Sequence, residues 1–203
     1  MKLYYSTQTC STACHIAMEE AGLKYTPVEV SWKRNVNVTE LSAVNPLGSV
    51  PALVSDQGKV LTQNAAILEY IGDLSPTSNL LAKPGTWERY ETMSWVSFVA
   101  SDLHKAFSPF FRLKDMTTSE TAQQEIKKFV AKNVMNYLDH VDKNLAGKTF
   151  ITGSTFTIAD AYLYVIAGWA QFVDIDVSTY KNLGGYMNRV GTRPAVQKVM
   201  NVA

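Results

Sequence analysis

The apolar pattern of this 203-residue chain changes near Ser78, and the change limits the possible folds more than any other property of the sequence. Before that point, short β-type runs alternate with helical segments in the order β-α-β and then β-β-α. From about residue 85 onwards, the apolar residues recur with a helical period throughout. The pattern predicts two domains, a small α/β domain over residues 1–78 and an all-helical domain over residues 85–203.

Composition excludes several classes of protein. Hydrophobic residues make up 46% of the chain, and 19 Lys and Arg against 18 Asp and Glu give a net charge of +1. This balance argues against a binder of nucleic acid or of anionic lipid, since both need a basic surface. The most apolar stretch, Ala161 to Ala170, is about half of what spans a bilayer. With two cysteines and no secretion signal, we expect a soluble cytoplasmic protein that contacts neither nucleic acid nor membrane.

Cys10 is the main candidate for chemistry. It follows the predicted strand Leu3–Tyr5 and precedes a predicted helix, so its sulfur lies where free helix amides and the helix dipole favour an anion. This placement predicts a lowered thiol pKa and a reactive thiolate, helped by Lys33 or Arg34 if their loop folds back. The alternative is a buried, inert cysteine.

The second cysteine and the histidines give weaker signals. Cys14 lies one helical turn after Cys10, and we interpret it as a packing residue because a disulfide requires a narrow geometry. With His15 the two cysteines form a Cys-x3-Cys-His run that lacks the second half of a structural zinc site, so we predict no metal. His104, near the end of a long predicted helix, is either an acid, base or ligand donor or a surface histidine at a favourable helix end.

Two further motifs concern the backbone. Pro51 interrupts an apolar run, so either the run is an edge strand or the Val50–Pro51 bond is cis. A cis bond would turn the backbone groups of Val50 outward, where a peptide-like ligand could pair with them. Thr157 and Asp160 precede an apolar run as a capping box, which we assign to folding. Together the residues predict a thioredoxin-like domain that can bind a peptide-like thiol, followed by an all-α domain.

Four stretches, in order over nearly the whole chain, carry a resemblance to a known family. They are Met1–Tyr5 with Cys10 and Ser11, Asn45–Leu53, Leu61–Ile67 and Phe156–Leu163. In sequence and spacing they resemble bacterial glutathione S-transferases of the beta class. The resemblance implies an α/β plus all-α fold, with a thioredoxin-like N-terminal domain that binds glutathione. The all-helical domain would line the electrophile site and the interface of a homodimer.

The resemblance also implies roles for individual residues. Cys10, beside the glutathione sulfur, and His104 are expected to be catalytic. Val50–Pro51 would be a cis bond, with Val50 pairing with the cysteinyl backbone of glutathione. The implied glutathione contacts are Cys10, Lys33, Val50, Pro51, Gln63, Asn64, Ser97, Ser101, Asp102, Leu103 and His104. Of these, Gln63 and Asn64, at the start of a helix, would hold the γ-glutamyl carboxylate of glutathione. The implied electrophile-site residues are Lys105 and Phe107.

Two departures from the family pattern bear on these roles. The segment from Ser31 to Thr39 looks shorter than usual, so the lysine that meets a glutathione carboxylate is expected to be Lys33, with Arg34 as its neighbour. Cys14 stands where the class often has proline, which leaves open a second redox-active thiol.

The expected reaction is transfer of the thiol of reduced glutathione to small hydrophobic electrophiles. Glutathione would be a co-substrate, and no cofactor would be bound permanently. One alternative is a glutathione-dependent thiol-disulfide oxidoreductase or peroxidase, in which Cys10 attacks sulfur or oxygen. Another is a non-catalytic ligand-binding protein with the same fold.

Overall fold

The N-terminal part of the chain is built on a mixed four-stranded sheet. The structure, a computed structural model, describes residues 1–200. The strands are β1 Lys2–Tyr5, β2 Thr26–Glu29, β3 Ala52–Val54 and β4 Val60–Thr62. Their order in the sheet is β2-β1-β3-β4, with β1 parallel to β2 and antiparallel to β3, and with β3 antiparallel to β4. The predicted order of strands and helices is confirmed.

Helices cover both faces of this sheet. They are α1 Thr12–Glu20, α2 Val38–Val44 and α3 Asn64–Leu74. Leu3 and Tyr5 of β1 join the core formed with α1 and α3, whereas Tyr4 between them packs with Leu41 of α2 on the opposite face. This alternation follows from the two-residue repeat of a strand. Because β1 is packed on both faces, it lies in the middle of the domain. The loop that follows β1 therefore begins at the edge of the hydrophobic core.

The rest of the described chain is helical. The helices are α4 Trp87–Phe98, α5 His104–Ala106, α6 Ser108–Phe111, α7 Leu113–Met116, α8 Glu120–Asn144, α9 Ile158–Gly168, α10 Leu183–Gly191 and α11 Pro194–Met200. Short 3₁₀ turns cover Pro76–Ser78, Trp169–Val173 and Val177–Thr179. The central helix is α9, in which only Tyr164 and Gly168 are not buried. The predicted fold class is confirmed, whereas the domain limits 1–78 and 85–203 stay predictions.

The long helix predicted around Trp95 and His104 is interrupted by a π turn. Helix α4 ends at Phe98, a π-helical turn spans Val99–Leu103, and α5 begins at His104. A π turn widens the helix locally because each bond closes over five residues, and such turns frequently occur at functional sites. The apolar pattern gave no indication of this turn, which immediately precedes a predicted site residue.

Both domains share one hydrophobic core. Helix α1 packs against α3 in its own domain and against α9 and α11 in the helical domain. At the surface, Glu20 of α1 pairs with Arg193, and Glu19 pairs with Lys198. The two domains are therefore joined along the whole length of α1. Across residues 1–200, no helix combines the length and the apolar character needed to cross a membrane.

The capping box predicted at the start of α9 is confirmed. The Asp160 side chain is fully buried, and its oxygens accept hydrogen bonds from the backbone amides of Ile151 at 2.8 Å and Thr157 at 2.9 Å. The Thr157 hydroxyl at 2.9 Å and the Tyr186 hydroxyl at 3.2 Å complete the shell. Burial raises the pKa of Asp160 to about 6, although these donors act to lower it. The carboxylate thus connects α9 to the preceding loop and to α10.

Candidate active site between the two domains

Cys10 lies in the loop between β1 and α1, and Ser11 fixes the shape of this loop. The buried Ser11 hydroxyl accepts a hydrogen bond from the Ser6 amide at 3.0 Å and lies 2.7 Å from the Thr9 hydroxyl. Helix α1 begins one residue later, at Thr12. Cys10 is therefore held at the N-terminal end of α1, as the sequence predicted, and it is partly exposed.

The backbone of Val50 lies next to the Cys10 sulfur. The Sγ atom is 3.8 Å from the Val50 carbonyl oxygen, which is the range of a weak S–H···O contact. The Val50–Pro51 peptide bond is cis, so the prediction based on the family resemblance is confirmed. Among residues 1–200, no atom hydrogen-bonds to the Val50 amide. A ligand with a peptide backbone could therefore pair with Val50 beside the sulfur.

The prediction of a lowered pKa for Cys10 is wrong for the ligand-free protein. Burial raises the pKa of this thiol to about 11 and outweighs the opposing effect of the Cys10 and Ser11 backbone amides. Within the described chain, no basic side chain offsets this effect of burial. Cys10 therefore carries its proton at neutral pH and is a hydrogen-bond donor rather than a thiolate.

Lys33 and Arg34 lie in an exposed loop after β2, and of the two only Arg34 forms an ion pair with another described residue. The Arg34 guanidinium pairs with Glu29 and approaches the Ser31 hydroxyl at 3.3 Å. Lys33 has no hydrogen bond or ion pair with any residue that the structure describes. Of the two cations, Lys33 is therefore the one available to a ligand.

Gln63 and Asn64, predicted to bind a carboxylate together, point in different directions at the start of α3. Gln63 is exposed, and its φ of 73° lies in the left-handed region that favours glycine. Asn64 is buried, with its Oδ1 2.8 Å from Cys14 Sγ and its Nδ2 donating to the Cys10 carbonyl at 3.1 Å. The Asn64 side chain is therefore paired within the protein, and its role in binding a carboxylate stays a prediction. The backbone amide of Asn64, in the first turn of α3, can still bind a ligand carboxylate.

Cys14 is buried, as expected of a packing residue, but it also has a polar partner. It is fully enclosed and contacts the Asn64 side chain in addition to its apolar neighbours. Burial raises the pKa of the Cys14 thiol well above its usual value. Cys14 is thus a thiol that connects α1 to α3.

His104 lies in the helical domain, next to α9 and to Trp169. Its Nδ1 is 2.9 Å from the hydroxyl of Tyr162 on α9, and its ring meets Trp169 edge-on at a centroid distance of 5.0 Å. Burial, followed by the charge of Lys105, lowers the pKa of His104 to about 4. The imidazole is therefore neutral at neutral pH. His104 is half-buried rather than a free surface residue.

The other predicted contacts from α4 and α5 divide by burial. Ser97, Ser101 and Lys105 are exposed and Asp102 is half-buried, so their side chains are accessible to a ligand. The Ser101 hydroxyl lies 2.9 Å from the Ser97 carbonyl oxygen and 2.7 Å from Asp102 Oδ2.

Two predicted site residues, Leu103 and Phe107, have side chains that are fully buried in the core. Neither side chain is exposed to a ligand in this structure, and the site roles of both residues stay predictions. They recur at the four-residue spacing of a helix face that packs inward.

An aromatic wall lies beside His104 and was not predicted from the sequence. Phe111 is 51% exposed and Phe172 is 37% exposed, and their rings lie 5.8 Å apart. Trp169 joins them, 5.1 Å from Phe111. An apolar cleft of about 290 Å³ adjoins this wall and is lined by Gln8, Thr12, Tyr164, Val165, Gly168, Trp169, Gln171, Phe172, Met187 and Met200. The run of aromatic residues from Phe107 to Phe111 was the available signal, but spacing alone does not tell which ring is exposed.

No group of three or more histidine, cysteine or acidic side chains within residues 1–200 is arranged to hold a metal ion.

Comparisons with known proteins agree with this architecture along the whole chain. Residues 1–73 match the family profile "Glutathione S-transferase, N-terminal domain", and residues 98–194 match "Glutathione S-transferase, C-terminal domain". Glutathione S-transferase GstA of Escherichia coli O157:H7 is 37% identical over 203 residues, which cover 99% of this chain and 98% of that protein.

Solved structures give the same result. A sphingomonad glutathione S-transferase complexed with glutathione has a TM-score of 0.88 and 39% identity, covering 100% of this chain and 98% of its own. The beta-class glutathione S-transferase of Sphingomonas chungbukensis has a TM-score of 0.88 and 40% identity over the same shares. The chain therefore belongs to the glutathione S-transferase family.

Proposed function

We propose that this protein transfers glutathione to small hydrophobic electrophiles in the cleft between its two domains. The observation that carries the proposal is the placement of the Cys10 sulfur beside the Val50 carbonyl, just before a cis-proline. This arrangement occurs in a chain that matches a glutathione-complexed transferase over its full length. A thiol at a helix end next to a free backbone amide suits a short peptide that itself carries a thiol.

Glutathione would lie along the N-terminal domain. The Val50 amide and carbonyl would pair with its cysteinyl backbone, and the α3 amides from Asn64 onward, with the exposed Gln63 side chain, would bind its γ-glutamyl carboxylate. Lys33 would meet the other carboxylate, supported by its lack of any ion-pair partner within residues 1–200. Ser97, Ser101 and Asp102 would contact the ligand from the helical side.

Cys10 would act as a hydrogen-bond donor to the glutathione sulfur. Glutathione loses its thiol proton to solvent, and the thiolate accepts hydrogen bonds from the Cys10 S–H and from amides at the start of α1. The thiolate then forms an S–C bond with the electrophile while a leaving group departs with its electron pair. The raised pKa of Cys10 supports this role, because a protonated thiol stabilises a neighbouring anion whereas a second thiolate would repel it.

The electrophile would bind against the aromatic wall of Phe111, Trp169 and Phe172. These rings are adjacent to His104 and border the apolar cleft. Lys105 would lie at the exposed rim. A hydrophobic substrate gains binding free energy from apolar surface removed from water, which suits such a wall.

The direct test combines turnover with mass spectrometry. The unmodified protein should conjugate glutathione to a chlorodinitrobenzene electrophile and should form a mixed disulfide with oxidised glutathione. Cys10→Ala should form no mixed disulfide and should lose about tenfold or more in kcat/KM, since one donor to the anion is removed. Cys10→Ser, which keeps a donor, should retain more turnover than Cys10→Ala. A mixed disulfide that persists in Cys10→Ala would overturn the role of Cys10.

The same preparation separates the remaining functions. Reduction of a mixed disulfide or a peroxide by glutathione, without conjugation, would favour the oxidoreductase. Retention on immobilised glutathione without either reaction would favour a ligand-binding protein.

We further propose that the protein is a cytoplasmic homodimer. The exposure of two large aromatic side chains on α4, Trp87 at 78% and Tyr90 at 60%, supports a covered surface in the assembled protein. Both cysteines are free thiols, which suits a reducing compartment where reduced glutathione is available.

A further inference from the structure

The buried side chain of Asn64 ties the loop that contains Cys10, residues 6–11, to the rest of the domain. It is 7% exposed, and its Nδ2 group donates to the Cys10 carbonyl at 3.1 Å. Among residues 1–200, this is the one hydrogen bond that reaches the backbone of the loop from a distant part of the chain. The other hydrogen bonds of the loop backbone come from within the loop or from the adjoining first turn of α1.

Cys14 fixes the orientation of this amide. A carbonyl oxygen can only accept, so the Asn64 Nδ2 group faces the Cys10 carbonyl and the Oδ1 atom faces Cys14. The fully buried Cys14 thiol donates to Oδ1 across 2.8 Å. Burial raises the pKa of this thiol well above its usual value, so it keeps the proton that it donates. Because a buried amide is costly when its groups are unpaired, the two bonds hold Asn64 in a single orientation.

The hydrogen bond from Asn64 bears on the position of the Cys10 sulfur. The carbonyl and the sulfur belong to the same residue, so a shift of the carbonyl also moves Sγ relative to the Val50 oxygen, which lies 3.8 Å away. Asn64 is also the first residue of α3, where the amides that would bind a glutathione carboxylate begin. One side chain therefore joins the two places where the proposed function puts the sulfur and the γ-glutamyl end of the same tripeptide.

We propose that Asn64, oriented by Cys14, is a positioning residue that holds the Cys10 sulfur in place for the thiol of the ligand. The inference rests on the proposed function only for the identity of that ligand. It gives Cys14 a role in the site that involves no redox chemistry, because its S–H acts as a hydrogen-bond donor alone. Positioning of this kind matters because a displacement of about 1 Å at a reacting centre can greatly reduce the rate.

The first test needs no glutathione. Iodoacetamide alkylates a thiolate, and mass spectrometry of the digested protein follows the modification of Cys10. At neutral pH, Cys10 should be alkylated about threefold or more faster in Asn64→Ala, because a loosened loop relieves the burial that raises the pKa of this thiol. Asn144→Ala is the matched control and should leave the rate unchanged, since the Asn144 side chain also donates to a backbone carbonyl, that of Ile151 at 2.8 Å, but in the helical domain. Equal rates for Asn64→Ala and the unmodified protein would overturn the proposal.

A second pair of variants keeps Asn64 and changes its partner, so it does not depend on the folding of Asn64→Ala. Cys14→Ala removes the donor to the Asn64 Oδ1 atom and should speed the alkylation of Cys10. Cys14→Ser keeps a donor at this position and should restore the slow rate. Equal alkylation rates in the two Cys14 variants would overturn the orienting role of Cys14.

A double-mutant cycle separates positioning from a general effect on the fold. The loss of one oriented hydrogen bond in Asn64→Ala should lower kcat/KM for glutathione about threefold to tenfold when Cys10 is present. In the Cys10→Ala background, the same change should have little further effect, because Asn64 acts through the Cys10 sulfur. An equal loss in both backgrounds would show that Asn64 supports the fold in general, and it would overturn the positioning role.

The two proposals fail in distinguishable ways. A Cys10 alkylation rate that depends on Asn64, in a protein that neither binds nor conjugates glutathione, would contradict the proposed function and leave the positioning role standing. Normal conjugation by a protein whose Cys10 alkylation is independent of Asn64 would contradict the positioning role alone.

Discussion

The protein has two groups of buried or half-buried polar side chains, Asp160 in one and Cys10 with His104 in the other. They differ in how many of their hydrogen-bond donors and acceptors are paired. Asp160 is fully buried and surrounded by amide and hydroxyl donors from the helical domain. Cys10 and His104 lie half-buried between the domains, each with a single partner. A satisfied centre stabilises one conformation, whereas a centre with unused donors can receive a ligand. Perturbed pKa values occur at both, so the perturbation alone does not identify the functional centre.

The largest expected effect is the loss of stability when the buried Asp160 carboxylate is removed. Asp160→Ala should lower the free energy of unfolding by about 3–5 kcal/mol, because the buried amides of Ile151 and Thr157 lose their acceptor. Urea unfolding at neutral pH measures this loss. Asp176→Ala is the matched control, since Asp176 caps an exposed turn and its loss should cost far less. Equal stability of Asp160→Ala and the unmodified protein would contradict the distinction between the two centres.

A change at the aromatic wall should affect binding without affecting the fold. Phe172→Ala should raise KM for a hydrophobic electrophile about threefold to tenfold, because this partly exposed ring lines the apolar cleft that the ligand would occupy. KM for glutathione should stay the same. Phe129→Ala, at an exposed position on α8 outside the cleft, should change neither constant. Steady-state kinetics with both substrates varied would show the separation, and a parallel rise of both KM values would argue against it.

The smallest expected effect is the change in stability with pH that Asp160 causes. Its pKa of about 6 in the folded protein is above the ordinary aspartate value, so the folded state binds a proton more readily than the unfolded chain between those values. This group therefore adds stability as pH falls from 7 to 5, by about 1 kcal/mol.

Comparing the unmodified protein with Asp160→Asn isolates this contribution, because the other carboxylates titrate in both. The difference in unfolding free energy between the two proteins should change by that amount from pH 7 to pH 5. A difference that stays constant over this range would show that Asp160 is ionised throughout.

Local chemistry was enough to predict part of this molecule. The order of strands and helices follows from periodicity, and the capping box of Thr157 and Asp160 follows from a motif whose partners are three residues apart. The position of Cys10 at a helix end was predictable for the same reason. Each of these features depends on residues that are close in sequence.

The features that sequence reasoning missed all concern burial set by distant parts of the chain. The helix end at Cys10 suggested a lowered pKa, but desolvation by the folded core outweighs the local amides. Asn64 turned inward because its partners, Cys10 and Cys14, come from another helix. Leu103 and Phe107 were placed in the site by resemblance, whereas the packing of the π turn and of the short helices that follow it puts both side chains in the core.

The way α1 is anchored has a consequence for motion. The loop that leads into its first turn holds the Cys10 sulfur, and its last residues, Glu19 and Glu20, are ion-paired to Lys198 and Arg193 of the other domain. With the body of the helix packed against α3 in one domain and against α9 and α11 in the other, we expect the two domains to move together as one body. A disturbance at the Arg193 end of α1 will reach the thiol through a single rigid element.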